Sequence, residues 1–288
     1  MTCVSSITQI RNEVIAARRD GRLVALVPTM GALHAGHGAL IDRARRESGL
    51  VVVSIFVNPI QFDRPEDYQA YVINLNADLD FCAARGADLV FAPSPAEMYP
   101  TPIQTSVEIA GLSEHLCGKF RPGHFRGVAT VVAKLFHIVG PDRAYFGEKD
   151  AQQLAIIQRM VADLNFPVEI VPVPTVREAD GLALSSRNAR LTAEQRAAAP
   201  VIYRALQQAG RLAAEGVHCA AEVRRSALQV LAQEPAARVE YLEVVDAASM
   251  IPVETISAPV RVAAAVWFGG TRLIDNVLVH GPARETSA

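Results

Sequence analysis

The chain has 288 residues, 50% of them hydrophobic and 20% charged, with a formal net charge of −2. That length calls for one large and one smaller ordered domain, each burying its own core. The near-neutral charge and the lack of a long Lys/Arg block exclude a reader of extended nucleic acid, though a small anionic substrate stays open. Apolar runs such as 50–57 are strand-length, far short of the roughly 20 residues that span a bilayer, so no membrane partner is expected.

The first predicted element is an amphipathic helix over 6–19, stopped by Gly21. No apolar leader stretch is visible there, and the expected workplace is the cytoplasm. From Leu23 to about Pro174 short β-branched runs alternate with helical stretches, the pattern of parallel strands joined by crossover helices. Strands are predicted over 23–28, 50–56, 87–92, 143–146 and 168–173, with helices over 37–47, 74–85, 127–139 and 151–164. In such a sheet ligands bind beyond the carboxyl ends of the strands, so function is expected just after them. A polar connection over 176–188 follows. Two alanine-rich helices over 193–215 and 220–233 then precede strand-like runs over 239–245, 260–267 and 272–279, a small α+β domain. The boundary is expected near Thr175, giving domains 1–175 and 176–288, with the residues after His280 frayed. Cys3, Cys82, Cys117 and Cys219 show no metal or redox spacing and are given no function.

The first strand runs into Pro28-Thr29-Met30-Gly31-Ala32-Leu33-His34-Ala35-Gly36-His37. Two imidazoles at i and i+3, at a helix N-terminus beyond a strand, share a face where backbone amides already favour phosphate. Gly36 between them removes a side chain that would hold a base or ribose away from the backbone. His34 and His37 can then donate to phosphate oxygens as charge builds on the α-phosphorus. Two other readings compete: a zinc pair, which needs a third ligand that no nearby Cys/His cluster supplies, and histidines that cap the helix, which leaves the glycines unexplained.

The second strand ends in Phe56-Val57-Asn58-Pro59-Ile60-Gln61-Phe62. The Gln61 amide can orient a hydroxy acid without neutralising its carboxylate, whereas Asn58 and Pro59 read as turn residues. Arg121-Pro122-Gly123-His124-Phe125-Arg126-Gly127 opens a helix, and Phe146-Gly147-Glu148-Lys149-Asp150 leads into another. Lys149 is placed to neutralise triphosphate charge, Asp150 to cap the helix or orient the ribose or Lys149, and Gln153 to share the acid pocket with Gln61; Glu148 reads as a solvated charge. The stretch from Arg177 to Asn188 offers Ser185, Ser186 and Arg187 as donors on a loop able to fold over phosphates, with an ordinary linker as the alternative. Asp78 and Asp80 are weak candidates for a metal contact, a helix-surface carboxylate being the more frequent case.

Taken together, PTMGALHAGH, FVNPIQF, LCGKFRPGHFRGVATVVAKLF, PDRAYFGEKDAQQL and READGLALSSRN resemble, in order and spacing, the pantothenate synthetase family of the HIGH-signature nucleotidyl-transfer superfamily. The resemblance runs strongly from Pro28 to about Leu191, and beyond that by length and pattern. It implies an α/β fold, a Rossmann-like parallel sheet domain with a smaller α+β C-terminal lid domain, usually as a homodimer. The implied activity is ATP-dependent condensation of pantoate with β-alanine, with Mg2+ accompanying the ATP and its ligands unassigned. By the same resemblance ATP falls to Met30, Gly31, Ala32, Leu33, His34, Ala35, Gly36 and His37, the last as proton donor. ATP falls also to Gly147, Glu148, Lys149, Asp150, Val176, Leu184, Ser185, Ser186 and Arg187. Pantoate falls to Gln61 and Gln153, with Gln61 also near β-alanine.

The chain departs from the family pattern at Tyr71-Val72-Ile73-Asn74, at Ala39, at Ala151 and at Leu184, none of which removes a group that the chemistry requires. In the expected mechanism the pantoate carboxylate displaces pyrophosphate from the α-phosphorus and β-alanine then displaces AMP. His34, His37, Lys149, Ser186 and Arg187 would stabilise the first transition state. Two rivals remain. A nucleotidylyltransferase or truncated aminoacyl-tRNA synthetase should carry a more basic acceptor site or domain, and a non-catalytic nucleotide sensor should have lost phosphate-contacting side chains.

Overall fold

The protein is described by a computed structural model covering residues 1–63, 65–69, 71 and 74–280. Val72 and Ile73 of the departing segment, and the tail after His280, lie outside the described residues. Two compact units are present. One comprises Met1–Ser113, Gly118–Glu148 and Ile156–Val176, and the other comprises Glu114–Cys117, Lys149–Ala155 and the chain from Arg177 onward.

Along the chain, β1 (Thr2–Val4), α1 (Ile7–Arg19), β2 (Val24–Thr29), α2 (Ala35–Glu47), β3 (Leu50–Ile55), α3 (Pro65–Gln69), α4 (Leu75–Ala84), β4 (Leu89–Phe91) and α5 (Pro95–Met98) come first. They are followed by α6 (Leu116–Phe120), α7 (His124–Val139), β5 (Arg143–Gly147), α8 (Ala151–Asp163) and β6 (Glu169–Val173). The six strands form one parallel sheet in the order β1-β4-β3-β2-β5-β6. The order reverses at β2, with β3 on one side and β5 on the other, so the carboxyl end of β2 is the switch point at which such sheets hold ligands.

Residues Val27, Val51, Val53 and Val90 pack with Leu40 and Ile41 of α2 and Cys82 of α4. The alternating Leu26, Val52, Phe91 and Ala144 are fully buried as well. Burial on both faces explains why these strands read as unbroken apolar runs. The Cys82 thiol is pushed up to about 12, first by burial and then by the charge of Asp78, so it stays protonated and behaves as a core group.

The first helix starts where its sequence says, with Ser6 and Gln9 forming a reciprocal cap, and Gly21 takes a φ of 71°. The strand β1 is absent from the sequence expectation. Three residues give no readable period, and its pairing with β4 is what defines it.

In the second unit α9 (Ala193–Ala198), α10 (Val201–Ala214) and α11 (Ala220–Leu231) precede β7 (Ala237–Asp246), β8 (Val260–Phe268) and β9 (Thr271–Val279). These strands form an antiparallel sheet in the order β7-β8-β9. The helix expected over 193–215 is two helices, because Pro200 at the N-cap of α10 has no N–H to continue the ladder. Ala205, Ala209, Ala220 and Ala227 are at most 4% exposed, and their small side chains let α10 and α11 pack closely. The α/β parallel sheet and the smaller α+β element set both match the sequence expectation.

A Cβ on Gly127, in the first turn of α7, would lie 2.4 Å from the Ile60 carbonyl oxygen and 2.6 Å from the Gln61 Cα. The helix therefore rests directly on the backbone of the 3-10 turn Pro59–Gln61. On Gly210, in α10, the nearest atom to a Cβ would be a Val279 methyl at 3.9 Å. Urea unfolding should thus separate two helical glycines: Gly127→Ala destabilises by about 1–3 kcal/mol through overpacking, whereas Gly210→Ala stabilises by about 0.5–1 kcal/mol through helix propensity.

Candidate active site

Beyond β2 the chain makes a tight left-handed bend, with φ of 79° at Gly31 and 52° at Ala32. A left-handed alanine is strained by about 1–2 kcal/mol, and the loop is held against that strain from both sides. Thr29 Oγ1 donates to the Ser54 carbonyl at 2.8 Å and accepts from the Gly31 N–H at 3.3 Å. The Asp78 carboxylate accepts from the Ala32 N–H at 3.0 Å and the Leu33 N–H at 2.8 Å, one with each oxygen. Asp80 is exposed, as a helix-surface carboxylate would be, but Asp78 is 4% exposed and serves as a backbone clamp.

The loop delivers His34 to the N-cap of α2, where the capping alternative proves real. His34 Nδ1 accepts from the Gly36 N–H at 3.1 Å, and His37 Nδ1 accepts from the His34 N–H at 3.3 Å. Two imidazoles thereby take the place of a Ser/Glu capping box, with ring centroids 4.2 Å apart. The cap bonds use one nitrogen of each ring. A backbone N–H can only donate, so each Nδ1 is unprotonated and each ring carries its proton on Nε2. Both histidines are hydrogen-bond donors through Nε2 at the N-terminus of a helix, beside the switch point of the sheet.

Gln61 is set by a second chain of bonds. The half-buried phenol of Tyr99 is held well above its ordinary value by desolvation and stays a donor. It donates to Asn58 Oδ1 at 2.8 Å, so Asn58 Nδ2 must donate, and does so to Gln61 Oε1 at 3.0 Å and the Gly127 carbonyl at 3.1 Å. Gln61 therefore presents its NH2 group, which approaches Met30 Sδ at 3.1 Å. Asn58 reads as a turn residue in the sequence, but its side chain makes no capping bond in the turn and acts as the relay. The Gln61 carbonyl accepts from His124 Nδ1 at 2.9 Å, which leaves His124 Nε2 to accept from Arg121 at 3.1 Å. Arg121 in turn meets Asp63 at 3.4 Å. Thus the RPGHFRG stretch, unassigned from sequence, supports the Gln61 backbone.

Of the remaining candidates, Gly147, Glu148 and Val176 belong to the first unit, and Lys149, Asp150, Gln153 and the stretch from Leu184 to Arg187 belong to the second. β5 ends at Gly147, and Glu148–Asp150 forms a single 3-10 turn before α8. Lys149 is 17% exposed, and its contact with Asp150, itself exposed, is 4.0 Å, the outer limit of an ion pair. Gln153 sits half-buried in the first turn of α8. Its neighbour Gln152 accepts from the Cys117 N–H at 3.0 Å and donates to the His115 carbonyl at 2.7 Å, pinning that short segment.

The loop bearing Ser185, Ser186 and Arg187 is anchored at its base. Arg177 and Ala183 form an antiparallel bridge, and Arg196 holds both Glu178 and Asp180 at 2.6 Å. Asn188 Nδ2 donates to Glu178 and to the Ala183 carbonyl at 3.1 Å each, and Ser185 Oγ accepts from the Arg187 N–H at 3.2 Å. A plain linker would not need this bracing. Among the described residues no group of three or more His, Cys, Asp or Glu could hold a metal ion. No helix among them is long and apolar enough to cross a membrane.

The Asp78 clamp gives a direct stability test. Replacing Asp78 with asparagine swaps one acceptor for an NH2 facing a backbone N–H, so urea unfolding should show a loss of about 1.5–3 kcal/mol. The matching change at exposed Asp80 should stay within about 0.5 kcal/mol.

A family model described as pantoate-beta-alanine ligase matches residues 2–278. A pantothenate synthetase of Moorella thermoacetica is 52% identical over 97% of this chain and 99% of its own length. The crystal structure of the pantothenate synthetase of Thermus thermophilus superposes with a TM-score of 0.90 at 48% identity, covering 96% of this chain and 99% of that one. The pantoate-beta-alanine ligase of Francisella tularensis, solved in complex with beta-gamma ATP and beta-alanine, gives a TM-score of 0.80 at 35% identity, covering 96% and 97%. The chain therefore belongs to the pantoate-beta-alanine ligase family of enzymes.

Proposed function

We propose that this ligase makes pantothenate in two steps through a pantoyl-adenylate. A pantoate carboxylate oxygen attacks the α-phosphorus of ATP, the bond to the bridging oxygen breaks, and pyrophosphate leaves with the electron pair. The neutral amine of β-alanine then adds to the acyl carbon, AMP departs, and the amine loses a proton to become the amide. Family membership and the relative that binds beta-gamma ATP and beta-alanine support the substrates. The observation that carries the mechanism is the pair of imidazoles whose Nδ1 atoms are committed to the α2 N-terminus, so that both present Nε2–H donors.

In this reading His34 and His37 donate to the phosphate oxygens as charge accumulates, and Lys149, Ser186 and Arg187 add to that stabilisation. ATP is further held by Met30, Gly31, Ala32, Leu33, Ala35 and Gly36, by Gly147, Glu148 and Asp150, and by Val176, Leu184 and Ser185. Gln61, its NH2 directed by Asn58, and Gln153 aim the pantoate. Mg2+ enters as MgATP, riding on the phosphates in the way this small cation is usually bound, with few protein ligands. The enzyme works in the cytoplasm as a homodimer, a reading supported by the family resemblance and by four free thiols, two of them buried.

Purified protein given ATP, pantoate and β-alanine should release AMP and pantothenate, with one 18O from labelled pantoate carboxylate appearing in the AMP. Label absent from AMP contradicts the adenylate, and pyrophosphate exchange driven by amino acids or nucleotides in place of pantoate contradicts the substrate.

A further variant separates capping from catalysis. Asparagine is a good N-cap, so His34→Asn should keep the stability within about 0.5 kcal/mol while pantoate-dependent pyrophosphate exchange falls about 100- to 1000-fold. His37→Ala should lose exchange by orders of magnitude and also about 0.5–2 kcal/mol of stability, since it removes a cap bond. Exchange at the wild-type rate in either variant counts against these roles.

A further inference from the structure

The second unit holds two sets of groups that the proposed reaction uses, the Lys149 segment and the loop of Leu184 to Arg187, and both are tied to adjacent residues of one strand. Asp275 and Asn276 lie next to each other on β9 and are 4% and 5% exposed. Nothing in the fold of a three-stranded sheet requires a buried carboxylate and a buried amide there. Successive side chains on a strand leave on opposite faces, and these two reach different partners.

The Asn276 amide donates to the Lys149 carbonyl at 3.0 Å, and its Oδ1 accepts from Arg261 at 2.7 Å, which fixes the amide orientation. The Asp275 carboxylate takes a two-pronged contact from Arg177, at 2.5 and 2.9 Å. Arg177 also donates to the Gly181 carbonyl at 3.1 Å and to the Asn276 carbonyl at 3.4 Å, and its guanidinium lies 3.8 Å from the Tyr203 ring centroid. Gly181, at φ 92°, has no room for a side chain, since a Cβ would lie 2.4 Å from Tyr203. A planar guanidinium stacked on one ring and forked onto one carboxylate has no alternative position. The base of the hairpin is therefore registered to β9, and so is the backbone that carries the lysine.

We infer that Asp275 and Asn276 are positioning residues that hold the Lys149 backbone and the base of the Arg177–Ala183 hairpin in fixed register, so that the ATP-contacting groups of this unit act as one preformed set. The inference rests on the reading of Lys149 and the Ser185 to Arg187 loop as ATP groups. Its effect belongs to ATP and not to pantoate.

The test uses the full chain. Asn276→Asp keeps the acceptor for Arg261 and the size of the side chain but removes the donor to the Lys149 carbonyl. Calorimetry with ATP alone, which needs no turnover, should show affinity about tenfold weaker, the size expected for one lost hydrogen bond. The KM for ATP should rise in step while the KM for pantoate moves less than about twofold. Asn276→Ala, which removes both bonds, should show the same split, and Leu206→Ala, a core variant of the same unit, should lower the melting temperature without it. Unchanged ATP affinity in Asn276→Asp, or equal losses for both substrates that merely follow the melting temperature, would overturn the inference. Wild-type protein that binds ATP yet makes no pantothenate defeats the ligase chemistry, and the same calorimetric comparison still decides this point.

Discussion

An α-helix leaves its first N–H groups without partners, and at α2 that requirement is met by imidazole nitrogen. Everything proposed for the reaction depends on this choice of cap. Serine or aspartate would satisfy the same amides at less cost in side-chain size, but serine has a single oxygen and the second oxygen of an aspartate can only accept, so neither would offer a separate donor atom. Histidine does. Accepting at Nδ1 forces the proton to Nε2, so the bond that stabilises the helix also fixes the donor used in the proposed phosphate contact. The Asp78 carboxylate serves the same end one step upstream, because the left-handed bend at Gly31 and Ala32 is what brings His34 to the cap position.

Directionality is passed along hydrogen bonds elsewhere in the first unit in the same way. Tyr99 can only donate to Asn58 Oδ1, which fixes the Asn58 amide, which fixes that of Gln61. His124 shows the opposite tautomer to the two capping histidines, because its Nδ1 faces a carbonyl and its Nε2 faces a guanidinium. The two capping histidines thus share one tautomer and His124 takes the other, each set by the groups that its ring nitrogens face. Preorganisation of this kind is where electrostatic catalysis gets its advantage over water, whose dipoles must reorient as charge develops.

The sheet and the positions of the candidate residues are legible in the sequence because they rest on local patterns. Parallel strands buried on both faces read as β-branched runs, and Gly-rich turns after them mark the carboxyl edge. His34, His37, Gln61 and Lys149 all follow strand ends and can be picked out by that placement alone. What escapes such a reading rests on contacts distant in sequence. Asp78 sits in a helix 45 residues beyond Leu33, and only the fold shows that its carboxylate is buried under the histidine loop. Asn58 looks like turn chemistry, and its relay role needs Tyr99, 41 residues on. Gly127 stands in the sequence as part of a helix opening, yet its purpose is the backbone of Ile60 and Gln61 lying against it. The break between α9 and α10 is hidden for a simpler reason: an alanine-rich helical pattern continues through Pro200, and the missing N–H of that proline outweighs the pattern.

The protonation pattern of the capping histidines can be read without substrate. Long-range proton–nitrogen correlation spectra of the 15N-labelled protein near neutral pH, with ring signals assigned by single substitution, report which ring nitrogen carries the proton. The structure requires His34 and His37 to be neutral with the proton on Nε2, and His124 to carry it on Nδ1. Protonated Nδ1 atoms on His34 and His37 would mean that the α2 amides are not capped as described, and the two histidines would lose their assignment as preset donors.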